Sequence, residues 1–207
     1  MKQLVADTGP ILHLHEAGAL HLFQFIGEVL LAPLVLAELR VHAPALWPGQ
    51  PPRWASAQTL SPVAQQRATE WQHAGLLQGG EAQALALALE TKPGWFLTDD
   101  AGARLMAESL GIETHGSIGI ILWSAATRLI QKPEAETLLA ELEKSSLWMS
   151  PRVRAEARAA LTRLCHKTQM AFPKTNRLTN GLIILEIYCR FISRRTASFK
   201  TNLQTRK

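Results

Sequence analysis

Residues 1–10, MKQLVADTGP, carry the stretch on which the reading of the chain turns. Leu4, Val5 and Ala6 make an apolar run of strand length. Asp7 ends it, and Thr8, Gly9 and Pro10 turn the chain. A buried strand that hands a carboxylate to a turn, and then leads into a helix from Ile11, holds a charge at the edge of a sheet. In open α/β sheets, ligands bind beyond the carboxyl ends of the strands. Asp is also a preferred helix-capping residue. Asp7 therefore has two readings, a cap or a functional carboxylate, and the choice depends on which other acids accompany it.

Outward from that stretch, the pattern alternates. Residues 11–26 read as a helix that Gly18 weakens into two short pieces. Residues 28–32, EVLLA, read as a second strand. Pro33 suits the first turn of the following helix, PLVLAELRV, which carries Glu38. Helices are expected over 63–75 and over 81–90, where Ala82, Leu85, Ala86 and Leu89 make an apolar stripe. Trp95 to Thr98 read as a third strand, ending in Asp99 and Asp100. A helix over 103–110 and a short strand over 112–114 follow. His115 and Gly116 turn the chain, with Ser117 as N-cap for a helix over 118–130. A helix over 133–144, a last strand over 147–149 and a helix from Pro151 to about Leu164 complete the body. This alternation predicts a parallel sheet covered on both faces, a three-layer α/β/α sandwich with right-handed crossovers.

Residues 42–62 interrupt the alternation. They hold five of the eleven prolines, with Trp47, Arg53 and Trp54, and read as a long irregular loop. An aromatic beside an arginine can stack on a base; equally, the tryptophans can pin the loop to the body.

Composition narrows the classes. The 207 residues are 47% hydrophobic, enough for a core and against disorder. Two cysteines without CxxC spacing offer neither a disulfide framework nor a thiolate zinc site. No apolar segment reaches the roughly 18 residues of a membrane span, and 1–7 lack a signal-peptide core, so a cytoplasmic protein is expected. Charge divides the chain. Residues 1–162 hold 12 Lys and Arg against 16 Asp and Glu, whereas 163–207 hold 10 against Glu186 alone. A mildly acidic body, 1–164, thus carries a basic extension, 165–207, of the kind that contacts nucleic acid.

Four places offer carboxylates: Asp7, Glu38, Glu81 in the first turn of its helix, and Asp99 with Asp100. In a parallel sheet Asp7 and the Asp99–Asp100 pair leave the same edge. Carboxylates gathered in one cleft repel unless a cation sits between them. An all-oxygen set without His or Cys selects Mg²⁺ or Mn²⁺ and suits phosphodiester hydrolysis. Taken singly, Glu38 and Glu81 are ordinary surface helix residues, and Asp99 or Asp100 can cap a helix.

The succession LVADTGPILHL, LLAPLVLAEL, GGEAQALALA, FLTDDAGARLMAESLGI and HGSIGIIL resembles the PIN-domain family, and within it the VapC-like toxin ribonucleases. The resemblance covers about residues 1–164. It implies a small α/β/α sandwich and a Mg²⁺- or Mn²⁺-dependent endoribonuclease acting on single-stranded RNA. It also implies a homodimer held inactive by an antitoxin protein. On the matched motifs, Asp7, Glu38 and Glu81 take the first three family acids and Asp99 or Asp100 the fourth. As metal ligands it implies Asp7, Glu81 and Asp99 or Asp100, with Thr8 and Ser117 as small hydroxyl residues lining the site. The extension from Cys165 has no counterpart in the resemblance.

The remaining residues have plainer readings. His13 and His15, two apart, face different sides of a helix and cannot share a metal, so they are read as surface or packing residues. His115 is read as a solvated turn residue, Arg104 as a surface ion-pair partner, and Trp95 and Trp123 as core. The alternative function is a non-catalytic module that binds nucleic acid or a protein through the basic extension.

Overall fold

Apolar runs pair into one all-parallel sheet: β1 (Lys2–Ala6), β2 (Gly27–Leu31), β3 (Ala55–Ala57), β4 (Trp95–Leu97) and β5 (Thr114–His115), in the order β3-β2-β1-β4-β5. This computed structural model describes residues 2–47 and 49–171. β1 lies at the centre, where Val5 is flanked by Leu30 and Phe96. Leu4, Val5 and Ala6 are buried, as a strand covered on both faces must be.

The helices are α1 (Thr8–Glu16), α2 (Phe23–Ile26), α3 (Pro33–His42), α4 (Pro62–His73), α5 (Gly79–Thr91), α6 (Ala101–Ser109), α7 (Ser117–Ala126), α8 (Lys132–Leu142) and α9 (Pro151–Ala171). A 3₁₀ turn at Leu20–Leu22 joins α1 to α2, and the chain passes Gly18 with φ +68°, which breaks the first helix. The fold is the expected α/β/α sandwich.

α5 is deeply set beside the site. Ala82, Ala84, Leu85, Ala86, Leu87 and Ala88 are all buried, so it is covered well beyond the single stripe that its periodicity suggests. Its alanines let α3 and α4 approach closely, and the Gln83 side chain accepts a hydrogen bond from Leu34 N at 2.9 Å.

Several sequence expectations are corrected. Residues 147–149 form no strand: Leu147 and Met149 are held by the core and the backbone has no ladder partner. The loop 42–62 contains a strand, β3, because parallel pairing with Val29 to Leu31 satisfies the edge of β2. Its aromatics face inward. Trp54 is 7% exposed and stacks on Phe23 at 5.0 Å, with the Trp47 ring edge-on to it at 5.8 Å. The fourth expected strand is Thr114–His115 rather than 112–114, so His115 is a buried sheet residue and not a solvated turn. Its Nε2 lies 2.8 Å from Glu113 Oε1, and its ring packs on Trp95.

The last helix runs to Ala171, past the start of the basic extension, and the rest of that extension, 172–207, lies outside the described residues. Among the described residues no helix is long and apolar enough to cross a membrane.

Burial of Trp54 generates a test. Trp54→Ala removes a large buried aromatic, so denaturant unfolding should show a loss of about 3–5 kcal/mol. Arg53→Ala, on an exposed residue, should stay within about 0.5 kcal/mol of the unaltered protein.

Candidate active site

The strand order itself locates the cleft. After β1 the chain moves toward β2 and β3; after β4 it moves the other way, to β5. The two connections part between the carboxyl ends of β1 and β4, and such a parting leaves a crevice. Asp7 follows β1 and Asp99 follows β4, on its two sides. The crevice is a cleft of about 500 Å³ that contains Asp7, Thr8, Glu38, Glu81, Asp99 and Asp100.

Asp7 combines both of its readings. Its side chain caps α1 by accepting from Thr8 N at 2.6 Å, and its backbone N–H donates to Leu97 O at 2.9 Å, extending the β1–β4 ladder. It is 5% exposed. The fully buried Thr98 links the two sides: its hydroxyl donates to Asp7 Oδ2 at 3.3 Å and accepts from Asp100 N at 3.1 Å. Glu38 projects from α3 into the cleft. Gly80 N donates to its Oε1 at 2.9 Å, and the Thr8 hydroxyl donates to its Oε2. A Cβ on residue 80 would stand 2.2 Å from Glu38 Oε2, so only glycine admits this carboxylate to the start of α5. Glu81 closes a capping box, its Oε2 accepting from Gln78 N at 2.9 Å.

The two adjacent aspartates part company. Asp100 caps α6 through Oδ1, which accepts from Ala103 N at 2.7 Å. Asp99 has both oxygens engaged: Oδ1 accepts from Ser117 N at 2.8 Å, while Oδ2 takes the Ser117 hydroxyl and lies 2.8 Å from His13 Nδ1. Ser117 is thus not the N-cap of α7, a position held by Gly116, because its hydroxyl is turned to Asp99. Gly116 has no room for a side chain either, since a Cβ there would stand 2.5 Å from Asp99 Oδ1. Arg104 also departs from its reading, donating to Thr98 O at 2.8 Å and so bracing the end of β4.

Sequence reasoning missed His13, which lines the cleft and is not a mere surface or packing residue. A carboxylate only accepts, so Nδ1 of His13 carries the proton toward Asp99. The available signal was spacing: Gly9 and His13 are four apart on the helix that opens at the cleft, which puts the His13 ring on the face that Gly9 presents there. His42, at the end of α3, and residues 146–148 also line the cleft unforeseen.

Electrostatics tie four of the acids together. Burial drives the Asp7 carboxyl up to about 7. The charges of Glu81 and Glu38 push the same way, and the Thr8 N–H and Thr98 hydroxyl oppose them. Glu81 is also raised, by burial and then by Asp100 and Glu38, against the Gln78 N–H. Asp99 goes the other way: burial alone would raise it, but the His13 contact and the two Ser117 donors outweigh burial and hold it low. Among the described residues, no group of three or more His, Cys, Asp or Glu side chains is arranged to hold a metal ion. Each acid is turned onto a local donor, though the bonds of Glu81 and Asp100 engage only Oε2 and Oδ1. The donor set is all oxygen, partly buried and mutually repelling, which fits a hard divalent cation.

The Asp7 shift sets a pH dependence. Asp7 titrates near 7 in the fold against 3.8 unperturbed, so the folded state binds more protons between those values. The contribution of Asp7 to stability is therefore fully present below about pH 4 and is lost as pH rises through about 7, a change on the order of 4 kcal/mol. Asp7→Asn should flatten that decline. In thermal melts it should raise Tm at about pH 8, where the charge is present, relative to its effect at about pH 4.

Comparison with known proteins agrees with this geometry. The family model DUF3368, described as a PIN domain, matches residues 3–163. No curated protein matches the chain. The match spans every strand of the sheet and all five cleft acids, and on it the chain belongs to the PIN-domain family.

Proposed function

We propose that the protein is a divalent-metal-dependent endoribonuclease that cuts single-stranded RNA. PIN domains are nucleases as a class, and one observation carries the finer reading. Five acids from four separate parts of the chain line one cleft, and the most buried of them, Asp7, is raised to about 7 by burial and by its acidic neighbours. That strain is relieved by positive charge, and the acids are all hard oxygen donors.

In this reading Asp7, Glu81 and Asp100 would hold Mg²⁺ or Mn²⁺. Such an ion supplies an activated water and stabilises charge growing on phosphorus. The chain's own residues set the frame. Glu38, anchored on Gly80 N and Thr8, adds negative charge that strengthens cation binding. Thr98 keeps the Asp7 and Asp100 turns in register. Asp99, with both oxygens engaged by Ser117 and His13, positions α7 and the His13 ring in this reading instead of serving as a ligand. Asp99 takes both donors of Ser117, which leaves that residue as a brace of the site, whereas Thr8 lines it directly.

The resemblance to VapC-like toxins extends the reading to a cytoplasmic toxin that acts as a homodimer and is silenced by an antitoxin protein. The 165–207 segment, strongly basic by composition, supports RNA as the partner. The second reading, a non-catalytic nucleic-acid-binding module, draws on the way each carboxylate is occupied by a local donor.

Cleavage of single-stranded RNA by the full chain separates the two. With Mg²⁺ or Mn²⁺ the protein should cut the strand, EDTA should stop it, and Asp7→Asn should slow it by about 10²-fold or more. A mutant that cuts as fast as the parent, or RNA binding that survives EDTA without any cutting under either metal, would leave the non-catalytic reading in place.

A further inference from the structure

We propose that Trp148 is a stacking platform for an unpaired base of the strand held in the acidic cleft. The inference rests on the nuclease reading for the strand and on separate observations for the platform. Trp148 is 83% exposed, the most exposed of the large hydrophobic side chains among the described residues, and of those it is the one that lines the cleft. Phe25, Val41, Val63 and Leu76 are also exposed, but away from it.

The exposure is imposed by the neighbours. Leu147 packs against the core and Met149 is buried, and the residue between them is left facing outward. The segment is braced at both ends. Ser146 N and its hydroxyl both donate to Glu16 Oε2, at 2.7 and 2.8 Å, and Arg154 Nε donates to Met149 O at 3.1 Å. A pinned segment presents the indole with little ordering left to lose on binding.

The surroundings favour a nucleobase over a protein side chain. A protein-binding patch gathers several apolar anchors, whereas here one aromatic stands beside carboxylates, His13 and His42. A base offers a flat π-face joined to a charged backbone, which matches a cleft lined by one exposed aromatic and by acids that seek a cation. Stacking of this kind tolerates any base, because every base has a π-face.

Fluorescence anisotropy tests this with the full chain, Ca²⁺ replacing Mg²⁺, and two labelled single-stranded RNA probes of equal length, one normal and one abasic. Trp148→Ala should weaken binding of the normal strand by about 10- to 100-fold, and Trp148→Phe should restore most of it. Both variants should bind the abasic strand as the parent does. The proposal is overturned by equal affinity of Trp148→Ala and parent for the normal strand, by an equal loss on the abasic strand, or by no strand binding in the parent. It is also overturned if Trp148→Ala leaves strand affinity intact but dissociates a dimer in sedimentation, which would make the residue a protein contact. Metal-dependent cleavage is scored separately: base-dependent binding through Trp148 without cleavage defeats the nuclease reading alone, and cleavage with unchanged strand affinity defeats the platform alone.

Discussion

The burial of Asp7 among other acids is the constraint around which the rest is arranged. A carboxylate at the end of a central strand, 5% exposed, is costly to charge, and Glu38 and Glu81 add to that cost. The fold tolerates it through two donors, Thr8 N at the opening of α1 and the Thr98 hydroxyl from β4. Neither offsets burial, and the carboxyl stays near 7. A chain under selection for stability alone would have neutralised this place, and strained groups of this type concentrate where function needs them.

Around that point the same residues perform local and global work together. Asp7 caps α1, Asp100 caps α6 and Glu81 completes the capping box of α5, so three helix starts converge on one cleft. Helix N-termini carry partial positive charge, which reduces the repulsion among the acids that cap them. The reading of these residues as caps and their reading as a functional set are therefore not rivals. Capping fixes the rotamers, and fixed rotamers are what a reactive constellation requires.

The glycines show how narrow the arrangement is. Glu38 reaches the start of α5 because residue 80 has no Cβ, and Asp99 reaches Ser117 because residue 116 has none. Gly80 and Gly116 bring no functional group to the cleft, yet each sets the distance at which two elements meet. The braced segment 146–148 brings the one exposed indole to the cleft from a stretch of the chain that supplies none of the cleft acids.

Much of this was legible in the residues alone. Apolar runs of strand length ending in Asp7 and in Thr98-Asp99-Asp100, with helices between them, specify a parallel sheet and put acids at its carboxyl edge, since side-chain pattern and turn chemistry are local properties. Strand order is not local, and only the tertiary structure set β4 beside β1 and so brought Asp99 within reach of His13, 86 residues earlier. It also decided that Asp100 joins Glu81 electrostatically while Asp99 is spent on Ser117 and His13, a choice that two adjacent identical side chains cannot reveal. The choice between the two readings of the loop aromatics, and the absence of a strand at 147–149, were decided in the same way. Whether Trp54 packs inward or Trp148 points outward depends on which neighbours fill the core, and that is settled by the packing of distant segments and not by their own sequence.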